Sequence, residues 1–110
     1  MKLVLFTILD RASAAYMRPF SFLSVGQAER SFRDLCNDKD HEVGRHPEDY
    51  TLVRCGQFDD NTGQLLPENV ETILSGRDIV AAQAAEGVGR FINPEVNGED
   101  PASVLTPVAD

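Results

Sequence analysis

The residues of this sequence that offer the clearest chemistry are cations interleaved with aromatic rings in its first third. Arginine side chains can follow a phosphate backbone, and aromatic rings can stack on unpaired bases. If these side chains share one surface, the combination suits single-stranded nucleic acid. The predicted nucleic-acid-binding residues are Arg11, Tyr16, Arg18, Phe20, Arg30 and Arg33.

The same residues also have a purely structural interpretation, which the sequence leaves open. Tyr16 and Phe20 can belong to the hydrophobic core, and the arginines can pair with Asp10, Glu29 and Asp34. Runs of charge usually form solvated faces. Only the positions of these side chains in the fold distinguish the two interpretations.

Two histidines lie near acidic residues, which raises the question of a metal site. Their spacing matches no known ligand pattern, and a solvated polar loop explains the same composition. The sequence therefore predicts no metal and no cofactor. The residues concerned are His41 and His46, with Asp38, Asp40, Glu42, Glu48 and Asp49.

The motifs typical of enzymes are missing from the sequence. Neither histidine has a serine or cysteine beside it in a nucleophile motif. There is no GxxxxGK[ST] phosphate loop, no GxGxxG after a strand and no HExxH. The sequence predicts no catalytic residues and a protein that is not an enzyme.

One strand and one helix must position the candidate residues. Residues 2–9 carry apolar side chains on both alternating faces, which predicts a strand in the middle of a sheet. Small residues then predict a loop as far as residue 20. Ser24 and Gln27 form a capping box, and apolar residues at helical spacing predict a helix over residues 25–37.

The second half of the predicted domain is a hairpin followed by a third strand. A strand from about Tyr50 leads into a turn at residues 59–63, and residues 64–66 begin the second, antiparallel strand of the hairpin. Pro67 predicts a break before a further strand at residues 70–74. Residues 37–45 have no apolar periodicity and predict a surface loop. Residues 78–86 predict a short helix.

These elements predict an α+β fold, with a small, mostly antiparallel sheet of three or four strands and one helix packed on it. The predicted domain spans residues 1–76. Residues 77–110 are predicted to be an extended acidic tail, with a short helix and then a flexible or partner-ordered segment. Residues 1–66 carry 8 basic and 10 acidic side chains, whereas residues 67–110 carry 2 and 8. A phosphate-binding surface therefore belongs to the first part.

Size and composition predict a cytoplasmic protein without a membrane segment. The chain has 110 residues, of which 42% are hydrophobic and 25% charged, and these values are ordinary for a globular domain. The longest apolar run, at residues 3–9, is far too short to span a bilayer, and no signal-peptide cleavage site follows it. Cys36 and Cys55 are too few for a disulfide framework and are predicted to be buried thiols.

An ordered series of motifs covers about residues 1–66. It begins with an N-terminal strand that ends in Asp10, and its later members are Tyr16, Pro19-Phe20, a helix with Ala28 and Arg30, His46-Pro47-Glu48-Asp49-Tyr50, and Gly56-Gln57-Phe58-Asp59-Asp60-Asn61-Thr62-Gly63. As a set, the series resembles the small nonstructural protein of gokushoviruses, which are microviruses with single-stranded DNA genomes. No motif of this resemblance lies beyond Pro67.

The resemblance implies a nonvirion protein of the host bacterial cytoplasm. It further implies a DNA-binding role in the switch from duplex replication to single-strand synthesis and packaging, without transferring any binding residue. The leading hypothesis is a noncatalytic module that binds single-stranded viral DNA or the replication complex. The alternative is a protein-interaction or assembly factor. Its hairpin edge would pair with a second subunit, and its acidic tail would bind a basic replication or capsid protein.

Overall fold

The computed structural model has an antiparallel sheet with helices, which confirms the predicted α+β class. The structure describes the backbone of residues 1–92 and the side chains of residues 1–86. The chain divides into two compact units, Met1–Ile79 and Val80–Asp110. The sheet and its core belong to the first unit, while the predicted tail lies outside the described residues from position 93 onward.

The sheet has five strands, and its central strand β1 is paired on both sides. β4 pairs along the whole of β1, from Lys2 opposite Asp59 to Asp10 opposite Tyr50. β2 and β3 follow one another along the other side of β1, and β5 pairs with β4. The strands are β1 (Lys2–Asp10), β2 (Ala15–Tyr16), β3 (Phe20–Phe22), β4 (Tyr50–Asp59) and β5 (Gln64–Ser75).

The first helix begins where its capping box predicts. The Ser24 hydroxyl accepts a hydrogen bond from the Gln27 amide at 3.2 Å, and the Gln27 side chain accepts one from the Leu23 amide at 3.1 Å. The first bond satisfies an amide that a helix start otherwise leaves unpaired, and the second ties the preceding residue to the first turn. The helical elements are α1 (Val25–Cys36), α2 (Glu42–Arg45), a 3-10 turn (Pro47–Asp49) and α3 (Gly76–Ile92). None of the helices in the described part is long and apolar enough to cross a bilayer.

The hydrophobic core lies between α1 and one face of the sheet. Phe6 and Phe32 are its largest fully buried side chains, and they come from β1 and α1. Such burial is the main source of stability in a domain of this size. The core residues are Phe6, Ile8, Ala28, Phe32, Cys36, Val43, Tyr50, Leu52 and Ile79. Cys36 is buried as predicted, and Cys55 is half-buried.

The predicted loop over residues 12–20 contains strand β2 and leads directly into β3, so that prediction was wrong. β4 covers only one side of β1, and these short strands satisfy the backbone groups on its other side. Their lengths of two and three residues are too small to show an alternating pattern in the sequence.

Two further predictions on the second half of the domain were wrong. The predicted loop over residues 37–45 contains α2, which places Val43 in the core, and a four-residue helix is too short to show periodicity. The predicted break at Pro67 does not end the strand, because β5 runs through it as one strand of 12 residues, although its register with β4 shifts between Pro67 and Glu71. Proline is tolerated there because β5 pairs with only one described strand, β4.

Candidate nucleic-acid interface

The turn between β1 and β2 positions the first two candidate residues. The Asp10 carboxylate accepts hydrogen bonds from the amides of Ala12, at 3.0 Å, and Ser13, at 3.4 Å, which closes the turn. Ala14 then adopts a left-handed φ of 58°, a conformation that costs an L-residue roughly 1–2 kcal/mol. The turn leaves Arg11 exposed at one end and directs the chain into Tyr16 at the other.

Tyr16 lies on the edge of the sheet with its ring in solvent. It pairs with Leu9 of β1, and its side chain is 55% exposed. The next residue, Met17, is held on both sides, because its amide donates to the Ile8 carbonyl at 2.9 Å and its carbonyl accepts from the Thr7 hydroxyl at 2.6 Å. These bonds fix the backbone between Tyr16 and the exposed Arg18.

Phe20, the second predicted stacking residue, packs against the core. Its ring lies 6.3 Å from that of Phe6 and 5.8 Å from that of Phe22, measured between centroids. The side chain is half-buried, and it helps to cover one end of the core. Of the two predicted rings, Tyr16 therefore presents the more accessible surface to a base.

The remaining two arginines lie on the exposed side of α1. Arg30 and Arg33 are one helical turn apart and are both exposed, whereas Phe32 between them is buried. Arg30 also lines a shallow groove of about 640 Å³ that begins at Phe22 of β3 and continues along α1. The groove therefore connects the β3 edge to the helix. Its lining residues are Phe22, Ser24, Gly26, Gln27, Arg30, Ser31 and Asp34.

The four arginines are not neutralised by the pairs that the structural interpretation predicts. Among the residues with described side chains, none of the four guanidinium groups forms an ion pair or a hydrogen bond. The Asp10 carboxylate accepts hydrogen bonds from backbone amides instead. Between residues 11 and 33 the chain has four arginines and a single acidic residue, Glu29. This segment therefore carries a local positive charge in a chain whose net charge is −8.

The opposite edge of the sheet has a different character. Leu65 and Val70 of β5 are 67% and 60% exposed. Arg54 of β4 is held by Glu68, with Nε donating to Oε1 at 2.8 Å and Nη2 to Oε2 at 3.2 Å, and Gln57 donates to the same carboxylate at 2.7 Å. These hydrogen bonds lower the pKa of Glu68 below its ordinary value.

A small apolar hollow lies beside this edge. Its volume is about 300 Å³, and the half-buried thiol of Cys55 lies in its wall. Burial raises the pKa of Cys55, so the group stays a neutral thiol near pH 7. The lining residues are Leu5, Cys55, Gly56, Leu65, Leu66 and Pro67.

A third group of polar side chains lies at the far end of β1, around Tyr50. The Tyr50 hydroxyl donates to Glu42 at 2.8 Å. Burial, that hydrogen bond and the charges of Asp10, Glu42 and Asp49 together raise the pKa of Tyr50 to about 12. The two histidines, which the sequence alone does not distinguish, have different surroundings in the structure. The ring of His41 accepts a hydrogen bond from the Val43 amide and so caps α2, whereas the side chain of His46 lies close to those of Glu48 and Asp49.

Comparison with known proteins identifies a family. The family model described as Phage ORF5 protein matches residues 3–79. This span is more than half of the 110-residue chain, contains all six predicted binding residues, and ends at the last residue of the first compact unit. No curated protein and no solved structure matches the chain.

Proposed function

The chain belongs to the Phage ORF5 protein family and is a phage protein, and from this premise we propose that it binds single-stranded viral DNA. In this proposal it is a noncatalytic, nonstructural protein of a gokushovirus. It acts in viral DNA synthesis and packaging in the cytoplasm of the host bacterium. The DNA lies along the β2–β3 edge and continues onto α1.

The observation that carries this proposal is the unpaired state of the arginines between residues 11 and 33. A guanidinium group that is already paired with a carboxylate must lose that partner before it can bind phosphate. Arg11, Arg18, Arg30 and Arg33 have no such partner among the described side chains. Their exposure also means that little protein surface must move for phosphates to reach them.

Tyr16 supplies the contribution that favours single strands over duplex DNA. An unpaired base can stack on an exposed ring, whereas a base inside a duplex is already stacked on its neighbours. Tyr16 lies two residues from Arg18 on the same edge, and the Met17 hydrogen bonds fix the backbone between them. A phosphate and an adjacent base can therefore be bound together.

The experiment is a titration of the full chain into a fluorescently labelled oligothymidine, followed by anisotropy at several salt concentrations. The test variant replaces Arg11, Arg18, Arg30 and Arg33 by alanine. We expect it to bind more weakly, and each lost phosphate contact should reduce the slope of log K against log salt by about 0.7. Unlabelled duplex of the same length should compete less well than single strand.

A matched control removes the same number of positive charges from other parts of the chain. It replaces Lys2, Lys39, Arg45 and Arg77 by alanine, and circular dichroism checks that both variants stay folded. The proposal expects the control to bind almost as the wild type does. It fails if both variants lose the same affinity, or if the wild type shows no salt-dependent binding at low ionic strength.

The long edge strand favours a second candidate function, which is protein interaction or assembly. Within the described residues, β5 pairs only with β4, and it exposes Leu65 and Val70. Such an edge accepts a strand from a second copy, as in a homodimer, or from a viral replication or capsid protein. Light scattering on the full chain tests the homodimer. A monomer at every concentration, together with no viral protein bound to the chain in infected cells, would exclude this function.

A further inference from the structure

We propose that His46, Glu48 and Asp49 form a binding site for a divalent transition-metal ion. One ligand atom from each side chain lies within 4.8 Å of the other two, so small rotations bring all three onto one ion. The three residues are separated by at most three positions, and the 3-10 turn Pro47–Asp49 folds them towards one another. None of these three residues belongs to the proposed DNA-binding set.

The backbone that carries these ligands is held from several sides. Within the turn, the Asp49 amide donates a hydrogen bond to the His46 carbonyl at 3.0 Å. The His46 amide in turn donates to the carbonyls of Glu42 and Val43 in α2. Pro47 is buried, and a Cβ atom on Gly76 would lie only 1.8 Å from its carbonyl oxygen. Glycine is therefore required at the start of α3 for this close approach. A fixed backbone reduces the entropy lost when the ligands converge.

The ligand side chains are available to an ion. None of the three forms a hydrogen bond or an ion pair with the side chains or backbone described in this structure. His41, by contrast, uses its ring nitrogen to accept the Val43 amide at 3.1 Å, which makes it a capping residue and not a ligand. From the DNA-binding set, the Arg11 amide donates a hydrogen bond to the Asp49 carbonyl oxygen at 2.8 Å.

The donor set indicates the class of ion. Two carboxylates suit Mn²⁺ and Mg²⁺, and an imidazole nitrogen favours first-row transition metals over Mg²⁺ and Ca²⁺. Three protein ligands leave coordination positions open to water. His46 and Glu48 are exposed and Asp49 is half-buried, so an ion can enter from solvent. We therefore expect Mn²⁺ to bind more tightly than Mg²⁺.

The test measures Mn²⁺ binding to the full chain without DNA, from the loss of the free-ion electron paramagnetic resonance signal. The proposal expects one Mn²⁺ per chain. His46→Gln and Glu48→Gln should each weaken binding by roughly tenfold or more, the scale on which changes around metal ligands act. Glu71→Gln, which removes an exposed carboxylate from β5, should leave binding unchanged.

A second readout locates the ion directly. In nuclear magnetic resonance spectra, Zn²⁺ should shift the ring signals of His46 more than those of His41, because only His46 is a ligand. The proposal is overturned if Mn²⁺ does not bind at millimolar concentration, or if the two ligand variants bind as the wild type does. Because no DNA is present, neither outcome bears on the proposed DNA binding.

Discussion

The two edges of this sheet differ in the way they end the hydrogen-bonded ladder. One edge consists of β2 and β3, which are two and three residues long, and between them Met17 is hydrogen-bonded to β1. The other edge is β5, a single strand of 12 residues. A short, interrupted edge offers few backbone groups to another strand, whereas a long one offers many. The first edge is therefore poorly suited to strand addition.

The charges follow the same division. The β2–β3 edge carries Arg11 and Arg18 beside the exposed Tyr16, while β5 carries Glu68 and Glu71 beside exposed aliphatic side chains. Phosphate is attracted to the first edge and repelled by the second. The edge proposed to bind DNA and the edge proposed to bind protein therefore lie on opposite sides of the β1–β4 pair.

Truncating Phe6 should weaken the whole sheet, since it lies in β1, which pairs with β2 and β3 on one side and with β4 on the other. The side chain is fully buried, and its ring contacts those of Phe20 and Phe22, at centroid distances of 6.3 and 6.2 Å. Phe6→Ala should lower the free energy of unfolding by about 3–5 kcal/mol. Urea denaturation followed by circular dichroism measures this loss.

The control for this prediction is Met17→Ala, which truncates an exposed side chain beside the same strand. It should change the free energy of unfolding by less than about 0.5 kcal/mol. A similar, small effect of both substitutions would contradict the assignment of Phe6 to the centre of the core.

Truncating Tyr16 tests the β2–β3 edge alone. If a base stacks on its ring, Tyr16→Ala should weaken binding of single-stranded DNA by about 1–3 kcal/mol, while the free energy of unfolding changes little because the side chain is 55% exposed. Anisotropy with labelled oligothymidine measures the affinity. Tyr16→Phe keeps the ring and should bind as the wild type does. Equal affinities for all three proteins would show that Tyr16 does not stack on DNA.

The sequence predicts the fold wherever a pattern is longer than about two turns or four strand residues. β1, α1 with its capping box, and the turn at Gly63 were all predictable, and Gly63 has the positive φ, 77°, that such a turn requires. The wrong predictions concern residues whose local structure depends on tertiary contacts. Val43 is buried because it packs against the core, and no local sequence pattern indicates this burial. Pro67 is tolerated within a strand because β5 is an edge strand among the described residues.

The candidate site was only partly predictable, for a related reason. Residue type and spacing identify the arginines and Tyr16, but the sequence contains carboxylates at helical spacing that favour paired arginines equally well. Whether Arg30 pairs with Asp34 depends on side-chain rotamers, and in this structure the pair is not formed. The convergence of His46 with Glu48 and Asp49 depends on a 3-10 turn, which no motif predicts.

Placing a charge on β5 tests the other edge. If a second copy pairs along this strand, Val70 loses most of its 60% exposure in the dimer. Val70→Lys should then weaken association by about 1.5 kcal/mol, or roughly tenfold in the dissociation constant. Sedimentation over a range of concentrations measures this change. Ser21→Lys adds the same charge to β3 on the opposite edge and should leave association unchanged. Equal weakening by both lysines would indicate general charge effects and not pairing along β5.

The smallest expected effect concerns the ion pair that links β4 to this edge. Arg54 and Gln57 lower the pKa of Glu68, so the ionised carboxylate favours the folded state. That contribution is complete above the ordinary glutamate pKa of 4.5 and is lost as the pH falls through the lowered value. The urea midpoints of the wild type and Glu68→Gln should therefore differ most near neutral pH and converge in acid. In an Arg54→Met background the convergence should be much weaker, because the main cause of the shift is removed. A constant difference at every pH would show that Glu68 acts through packing alone.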